Sequence, residues 1–201
     1  MKSFGIDLAG VETRNSGVCI LDDRLRARVF TLRNDSEIIN STIKAGPTII
    51  AIDAPLSLPF GRCCLKDTCS CRNKGHLRHC DRELLKMKIK FFPITLGPMR
   101  KLTERGIGLK KTLESEGFRV IEVYPGGAQD ILNIPRKQKG VDELKKGLIK
   151  IGIKGISRVT SDHELDAVTS ALVGKMYIED YYLALGDPEE GLIIMPKKRG
   201  F

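Results

Sequence analysis

Tryptophan is absent, and aromatic residues make up only 5% of the 201-residue chain. A surface paved with stacking aromatics, the device of many single-strand binders, is therefore not expected to be the main feature. No stretch approaches the roughly 20 consecutive apolar residues of a membrane span, so no membrane association is expected. The opening Met-Lys-Ser-Phe-Gly-Ile-Asp turns polar too early for a secretory signal. Internal repeats and low-complexity linkers are missing, and one domain over residues 1–201 is expected. Without a secretion signal, disulfides are disfavoured, and the expectation is a soluble cytoplasmic protein. At 41% hydrophobic the chain has enough apolar side chain for a sizeable core, which excludes a disordered chain or a disulfide-stapled miniprotein.

What is present is unevenly placed. The net charge is +9. Residues 1–61 are balanced, residues 62–111 carry +10, and residues 112–201 carry −1. A localised basic segment points to a polyanionic partner, most simply nucleic acid, DNA or RNA. Arg78, Arg82, Arg100 and Lys101 within it are the candidate backbone-binding groups.

The hydrophobic pattern predicts strands at 3–9, 17–21 and 27–32, the last two joined as a hairpin. A helix is predicted over 35–44, capped by Asp35 or Ser36 and stopped by Gly46-Pro47. Thr48 to Ile52 is a continuous apolar run, as expected of a strand buried on both faces. Helices are predicted at 81–90, 98–116, 139–150 and from Ser161 to about Tyr182, with a strand at 118–124 stopped by Pro125-Gly126-Gly127. A meander followed by strands alternating with helices predicts an α/β fold, a mixed five-stranded sheet with helices on both faces.

Asp7 and Asp53 end two of these strands, where functional groups of open α/β sheets gather; Asp in turns is the ordinary alternative. Ser161-Asp162-His163-Glu164 reads as a capping box. Asp166 has no such explanation, because it lies beside an apolar helical stripe, where an unpartnered carboxylate costs several kcal/mol. Asp162 and Asp166, four apart, share a helix face. Glu122 sits inside an apolar strand, as a catalytic acid or as a salt-bridge partner. Convergent carboxylates suit hard cations such as Mg²⁺ or Mn²⁺, and such sites hydrolyse phosphodiesters. The expected catalytic set is Asp7, Asp53, Glu122, Asp162 and Asp166, with Asp7, Asp53 and Asp166 as metal ligands.

Five of the six cysteines lie between Cys63 and Cys80, with His76 and His79 among them. This clustering predicts a metal-binding insertion over 60–80. Zinc is the default for closed thiolate and imidazole sites, with an iron–sulfur cluster as the minor alternative. The expected ligands are Cys64, Cys69, Cys71 and Cys80, with His76 as substitute. The expected role is structural, pinning a loop poor in apolar residues.

Taken together these residues resemble the RNase H-like superfamily. Gly5-Ile6-Asp7-Leu8-Ala9-Gly10 is similar to its first-strand motif, and Ile49-Ile50-Ala51-Ile52-Asp53-Ala54-Pro55 to the acid on its fourth strand. Asp162-His163-Glu164-Leu165-Asp166-Ala167 resembles the last helix of RuvC-type resolvases, where an acid or His precedes an Asp-Ala by three residues. A narrower resemblance, in order along nearly the whole chain, is to domain-of-unknown-function family 429. It is carried by Asp53-Ala54-Pro55-Leu56-Ser57-Leu58-Pro59, Arg78-His79-Cys80-Asp81-Arg82-Glu83-Leu84, Glu122-Val123-Tyr124-Pro125-Gly126 and His163-Glu164-Leu165-Asp166-Ala167. The resemblance implies strand order 3-2-1-4-5 and a metal-dependent nuclease site. RNase H proper places a Glu on its first helix, where this chain offers only Glu37, so the RuvC-like arrangement fits better. A dimer is compatible with the likeness to resolvases. Two other readings stay open: a non-catalytic nucleic-acid binder of this fold, and an ATP-dependent phosphotransferase using Asp7-Leu8-Ala9-Gly10 as a phosphate loop.

Overall fold

The computed structural model describes residues 1–158 and 161–197. Strands β1 (Lys2–Asp7), β2 (Ser16–Asp22) and β3 (Ala27–Leu32) form the expected antiparallel meander. Asp22 closes its second turn by accepting from the backbone N–H groups of Arg24 and Arg26 at 2.9 and 2.8 Å. Helix α1 (Asp35–Ala45) follows. Its cap is Asn34 rather than Asp35 or Ser36, in a capping box with Glu37. That leaves Asp35 free to pair with Arg105 at 2.8 Å.

Strand β4 (Ile49–Asp53) is buried almost throughout, as a doubly covered parallel strand should be. It runs parallel to β1 in a register that sets Asp7 beside Asp53. Beyond the cysteine-rich loop come α2 (His79–Lys86), α3 (Gly97–Ser115), β5 (Val120–Val123), α4 (Pro125–Ile131), α5 (Val141–Ile151), α6 (Asp162–Ile178), β6 (Tyr182–Asp187) and β7 (Gly191–Pro196).

The sheet has seven strands in the order β3-β2-β1-β4-β5-β7-β6, not five. The expected 3-2-1-4-5 order stands at one end, and the C-terminal hairpin extends the other. The last helix is expected to run to about Tyr182, and no strand is expected beyond it. The helix instead ends at Ile178, and Asp180 takes a left-handed conformation with φ of 55° that turns the chain back. Pro125-Gly126-Gly127 opens α4 rather than merely ending β5, since Pro at the first helical position has no N–H to lose.

Helices α1 and α3 cover one face, with Ile38, Leu109 and Leu113 packed on Phe4, Ile6 and Ile52. Helix α6 covers the other, together with α4 and α5. Its residues from Leu165 to Gly174 are all buried, because the sheet lies on one side and α4 and α5 on the other. Close approach to the sheet is allowed by glycines. A Cβ on Gly5 of β1 would strike the backbone of Ala167 and Ala171, and one on Gly17 of β2 would strike the His163 carbonyl.

Gly5→Ala pushes against helix backbone and the short, rigid Ala171 Cβ, so overpacking is expected to cost about 3 kcal/mol. Equilibrium denaturation checks this; an unchanged midpoint would mean that α6 is not seated on β1 in this way.

Candidate active site

Parallel pairing of β1 with β4 aligns Asp7 and Asp53 at the carboxyl end of the sheet. The first turns of α6, seated over Gly17, carry His163 and Asp166 to the same edge. His163 Nδ1 donates to Asp7 Oδ2 at 2.6 Å. Asp166 is buried; its Oδ1 accepts from Gln129 Nε2 of α4 at 2.8 Å. Its Oδ2 meets Lys137 Nζ at 2.9 Å, and Lys137 also reaches Asp162 at 3.3 Å.

Burial and like charges at close quarters shift two of these carboxyls. Burial pushes the Asp53 carboxyl well above its ordinary value, with Asp7 and Asp166 adding to the rise. Burial and then Asp7 raise Asp166 as well. Hydrogen bonding to Asp7 raises the His163 imidazole. Burial works against the Lys137 ammonium, but Asp166, Asp7 and Asp162 outweigh it and hold its pKa above the usual lysine value. Four carboxylates thus share one ammonium and one imidazole. A hard, oxygen-seeking divalent ion would relieve the remaining repulsion; the donor chemistry of Asp7, Asp53 and Asp166 suits it, with Lys137 now on Asp166 and the three carboxylates not gathered as closely as a closed metal site requires.

Glu122 stands apart from this group. It lies on β5 beside Ile52 of β4 and Ile193 of β7, and Arg78 grips both its oxygens at 2.7 Å. The Leu56 N–H donates to it as well, at 2.7 Å. Burial pushes the Glu122 carboxyl upward while the Arg78 guanidinium pulls it back; with both its oxygens engaged, we take the pair as ionised. Arg78 also binds Asp81 through its backbone N–H, Nε and Nη2. At 2% exposure Arg78 has no surface to offer a nucleic acid. Its role is to hold Glu122 and Asp81. Arg100 is committed to Asp67, whereas Arg82 and Lys101 are exposed.

The thiols regroup relative to expectation. Cys63, Cys64, Cys69 and Cys71 have sulfurs all within 4.8 Å of one another, the one such candidate metal group among the described residues. Cys80 is buried elsewhere, packed with Leu84, Ile89 and Met195. Cys63 therefore takes the fourth place in the cluster, and His76 is not part of it. The Cys63–Cys69 and Cys64–Cys71 sulfur separations are 3.6 and 3.9 Å. A tetrahedral zinc with Zn–S near 2.3 Å requires about 3.8 Å along each edge. The backbone N–H of Cys63 leads in pulling the Cys71 thiol down to about 6, while the Cys63 thiol is pushed up to about 12 by Cys71 and Cys69. Asp67, between these cysteines, ties the loop to α3 through Arg100, and Arg62 ties it to Gly75 at 2.9 Å.

Lys137 and Gln129 were not legible as site residues. Lys137 is one of many lysines, and Gln129 lies on a helix hidden behind a Pro-Gly-Gly string. His163 carried a signal, its place three residues before Asp166, which the capping-box reading of that turn obscured. Ser161 makes no side-chain cap bond.

The fold that carries this edge is similar to that of RuvC. A solved structure of Thermus thermophilus RuvC in complex with Holliday junction substrate matches with a TM-score of 0.52 at 15% identity, covering 90% of this chain and 96% of that one. A second Thermus thermophilus RuvC structure matches at TM-score 0.48 and 15% identity with the same coverage. No curated protein matches the chain. The chain belongs to the family described as Protein of unknown function (DUF429), whose model matches residues 5–190.

Arg78→Met strands two buried carboxylates and is expected to cost about 3–5 kcal/mol. Adding Glu122→Gln should recover part of that loss. A double-mutant cycle by urea denaturation checks it; strict additivity of the two changes would show that the pair is not coupled.

Proposed function

We propose that the protein is a divalent-metal-dependent nuclease acting on phosphodiester bonds of structured or branched nucleic acid. One observation carries the reading: Asp7, Asp53 and Asp166 converge with His163 at the carboxyl edge of a RuvC-type sheet. Asp7, Asp53 and Asp166 would hold Mg²⁺ or Mn²⁺. Bound there, such an ion supplies Lewis-acid polarisation of the phosphoryl group and acidifies water.

The chain's own residues do the rest. His163 fixes the orientation of Asp7, and Gln129 that of Asp166. The Lys137 ammonium, held by Asp162 and Asp166, lies where it can offset charge building on the phosphoryl oxygens. Asp162 is thereby a positioning residue for Lys137. Arg78 keeps Glu122 neutralised, so that its charge does not add to the crowded carboxylates. Exposed Arg82 and Lys101 are available to the nucleic-acid backbone. Zinc is the structural ion we assign to Cys63, Cys64, Cys69 and Cys71, supported by the match of sulfur separations to a tetrahedral site.

One observation favours a second reading, a binder without catalysis: the Asp166 carboxylate is already engaged by Lys137, which also meets Asp162.

Asp7→Asn and Asp166→Asn are each expected to abolish Mn²⁺- or Mg²⁺-dependent cleavage while leaving thermal unfolding nearly unchanged. A panel of labelled single strands, duplexes, hybrids, flaps and four-way junctions tests this. Wild-type protein that binds one class and cuts none would establish the binder instead. Separately, elemental analysis should find one zinc per chain. Cys63→Ser should lose it and Cys80→Ser should keep it; the reverse would return Cys80 to the ligand set.

A further inference from the structure

A cavity of about 180 Å³ opens directly beside the candidate active site, with Asp53 in its wall. Its lining is mostly apolar and includes Phe91, Phe92, Met99 and Tyr124. Phe92 is 67% exposed and sits on the loop between α2 and α3. The exposed large apolar side chains Met87, Phe92 and Leu96 belong to this loop, and Leu85 lies just before it, in the last turn of α2. Exposed Lys86, Lys88 and Lys90 alternate with them. A chain with so few aromatics has placed three of them around one hollow, next to its crowded carboxylates.

We propose that this hollow receives a single unpaired nucleobase of the nucleic-acid substrate, stacked against Phe92, while the adjoining phosphate lies at Asp53. The location of that phosphate rests on the nuclease reading; capture of the base does not. Three features select this occupant. The apolar, aromatic lining matches the faces of a base. The lysines beside it match the phosphates that any base brings with it. Tyr124 ties the two together, since its hydroxyl donates to the Lys90 carbonyl at 2.6 Å. A paired base cannot enter, so the pocket selects bulges, flaps and branch points over continuous duplex.

Apart from Asp53, the polar side chains of the lining are already spent. Arg78, Asp81 and Glu122 bind one another, and the Tyr124 hydroxyl is engaged with Lys90. With Asp53 given to the adjoining phosphate, none of these side chains is left to read which base arrives. The pocket should therefore sense that a base is unpaired, not which base it is.

The test uses the full-length Asp7→Asn protein, so that binding is read without cleavage. Fluorescence anisotropy compares a duplex carrying one bulged nucleotide with the same duplex carrying an abasic bulge, which keeps the phosphate and removes the base. The bulged base should tighten binding about tenfold, from the stacking of one base. The four bases should agree within about twofold, since every base has a stacking face. Phe92→Ala should erase the advantage, and Phe92→Tyr should restore it. Phe92 is exposed, and unchanged thermal unfolding would exclude misfolding of the alanine variant. Equal affinity for the bulged base and the abasic bulge would overturn the proposal. A concentration-dependent dimer that Phe92→Ala dissolves, with no effect on the base advantage, would also overturn it and assign the patch to self-association. A protein that cuts nothing yet keeps the base advantage would leave the pocket standing and remove the nuclease reading alone.

Discussion

The close seating of α6 on β1 and β2 is the constraint on which the rest depends. Gly5 and Gly17 let helix backbone approach strand backbone with no side chain between them. That contact buries α6 almost completely from Leu165 onward. It also sets the helix start directly over the strand ends, so that His163 reaches Asp7 and Asp166 is drawn into the same buried corner. The acids are crowded because the backbone packing leaves them nowhere else to go. The Asp53 and Asp166 carboxyls are raised by burial first and by neighbouring carboxylates second, not by any single local bond.

Two buried charge groups lie close together and behave in opposite ways. Arg78 with Glu122 and Asp81 is a closed set, in which every charged face has a hydrogen-bonded partner and none reaches solvent. Such a set organises structure. Asp7, Asp53, Asp162 and Asp166 with Lys137 and His163 form an open set, with more negative than positive charge and partial access to water. An unbalanced, reachable cluster at a sheet's carboxyl edge is where chemistry is placed. Glu190 links the framework further, accepting from the backbone N–H groups of Phe60 and His79 and so tying both ends of the cysteine-rich loop to the last strands.

That loop has little apolar surface to hold itself together. Its order rests on the four-sulfur cluster and on the Arg62 and Arg100 bonds. Because it leads straight into Arg78, the loop and the closed charge set are mechanically continuous. A structural ion at the sulfurs would thus support the floor of the pocket beside Asp53, although it lies outside the chemistry.

The meander, the doubly buried β4 and the helices α1, α3 and α5 were legible in the sequence, because hydrophobic period and turn residues are local signals. So were Asp7 and Asp53 as acids that end two strands, and Asp166 as an acid that lacks an ordinary explanation. The β6–β7 hairpin was not, because it joins the sheet through the pairing of β7 with β5, a contact distant in sequence. The thiol set was legible as a cluster but not as a membership. Cys80 follows α2 into the core, and only the fold decides that. Glu122 was legible as unusual, but its assignment to Arg78 required knowing which face of β5 it occupies. Lys137 carried no signal, since a lysine acquires its place only when α6 brings Asp162 and Asp166 beside it. Local sequence thus determined the strands, the helices and the kinds of chemistry available. Tertiary packing decided which charges meet, because side chains far apart in the chain share a site only through the way a helix seats on a sheet.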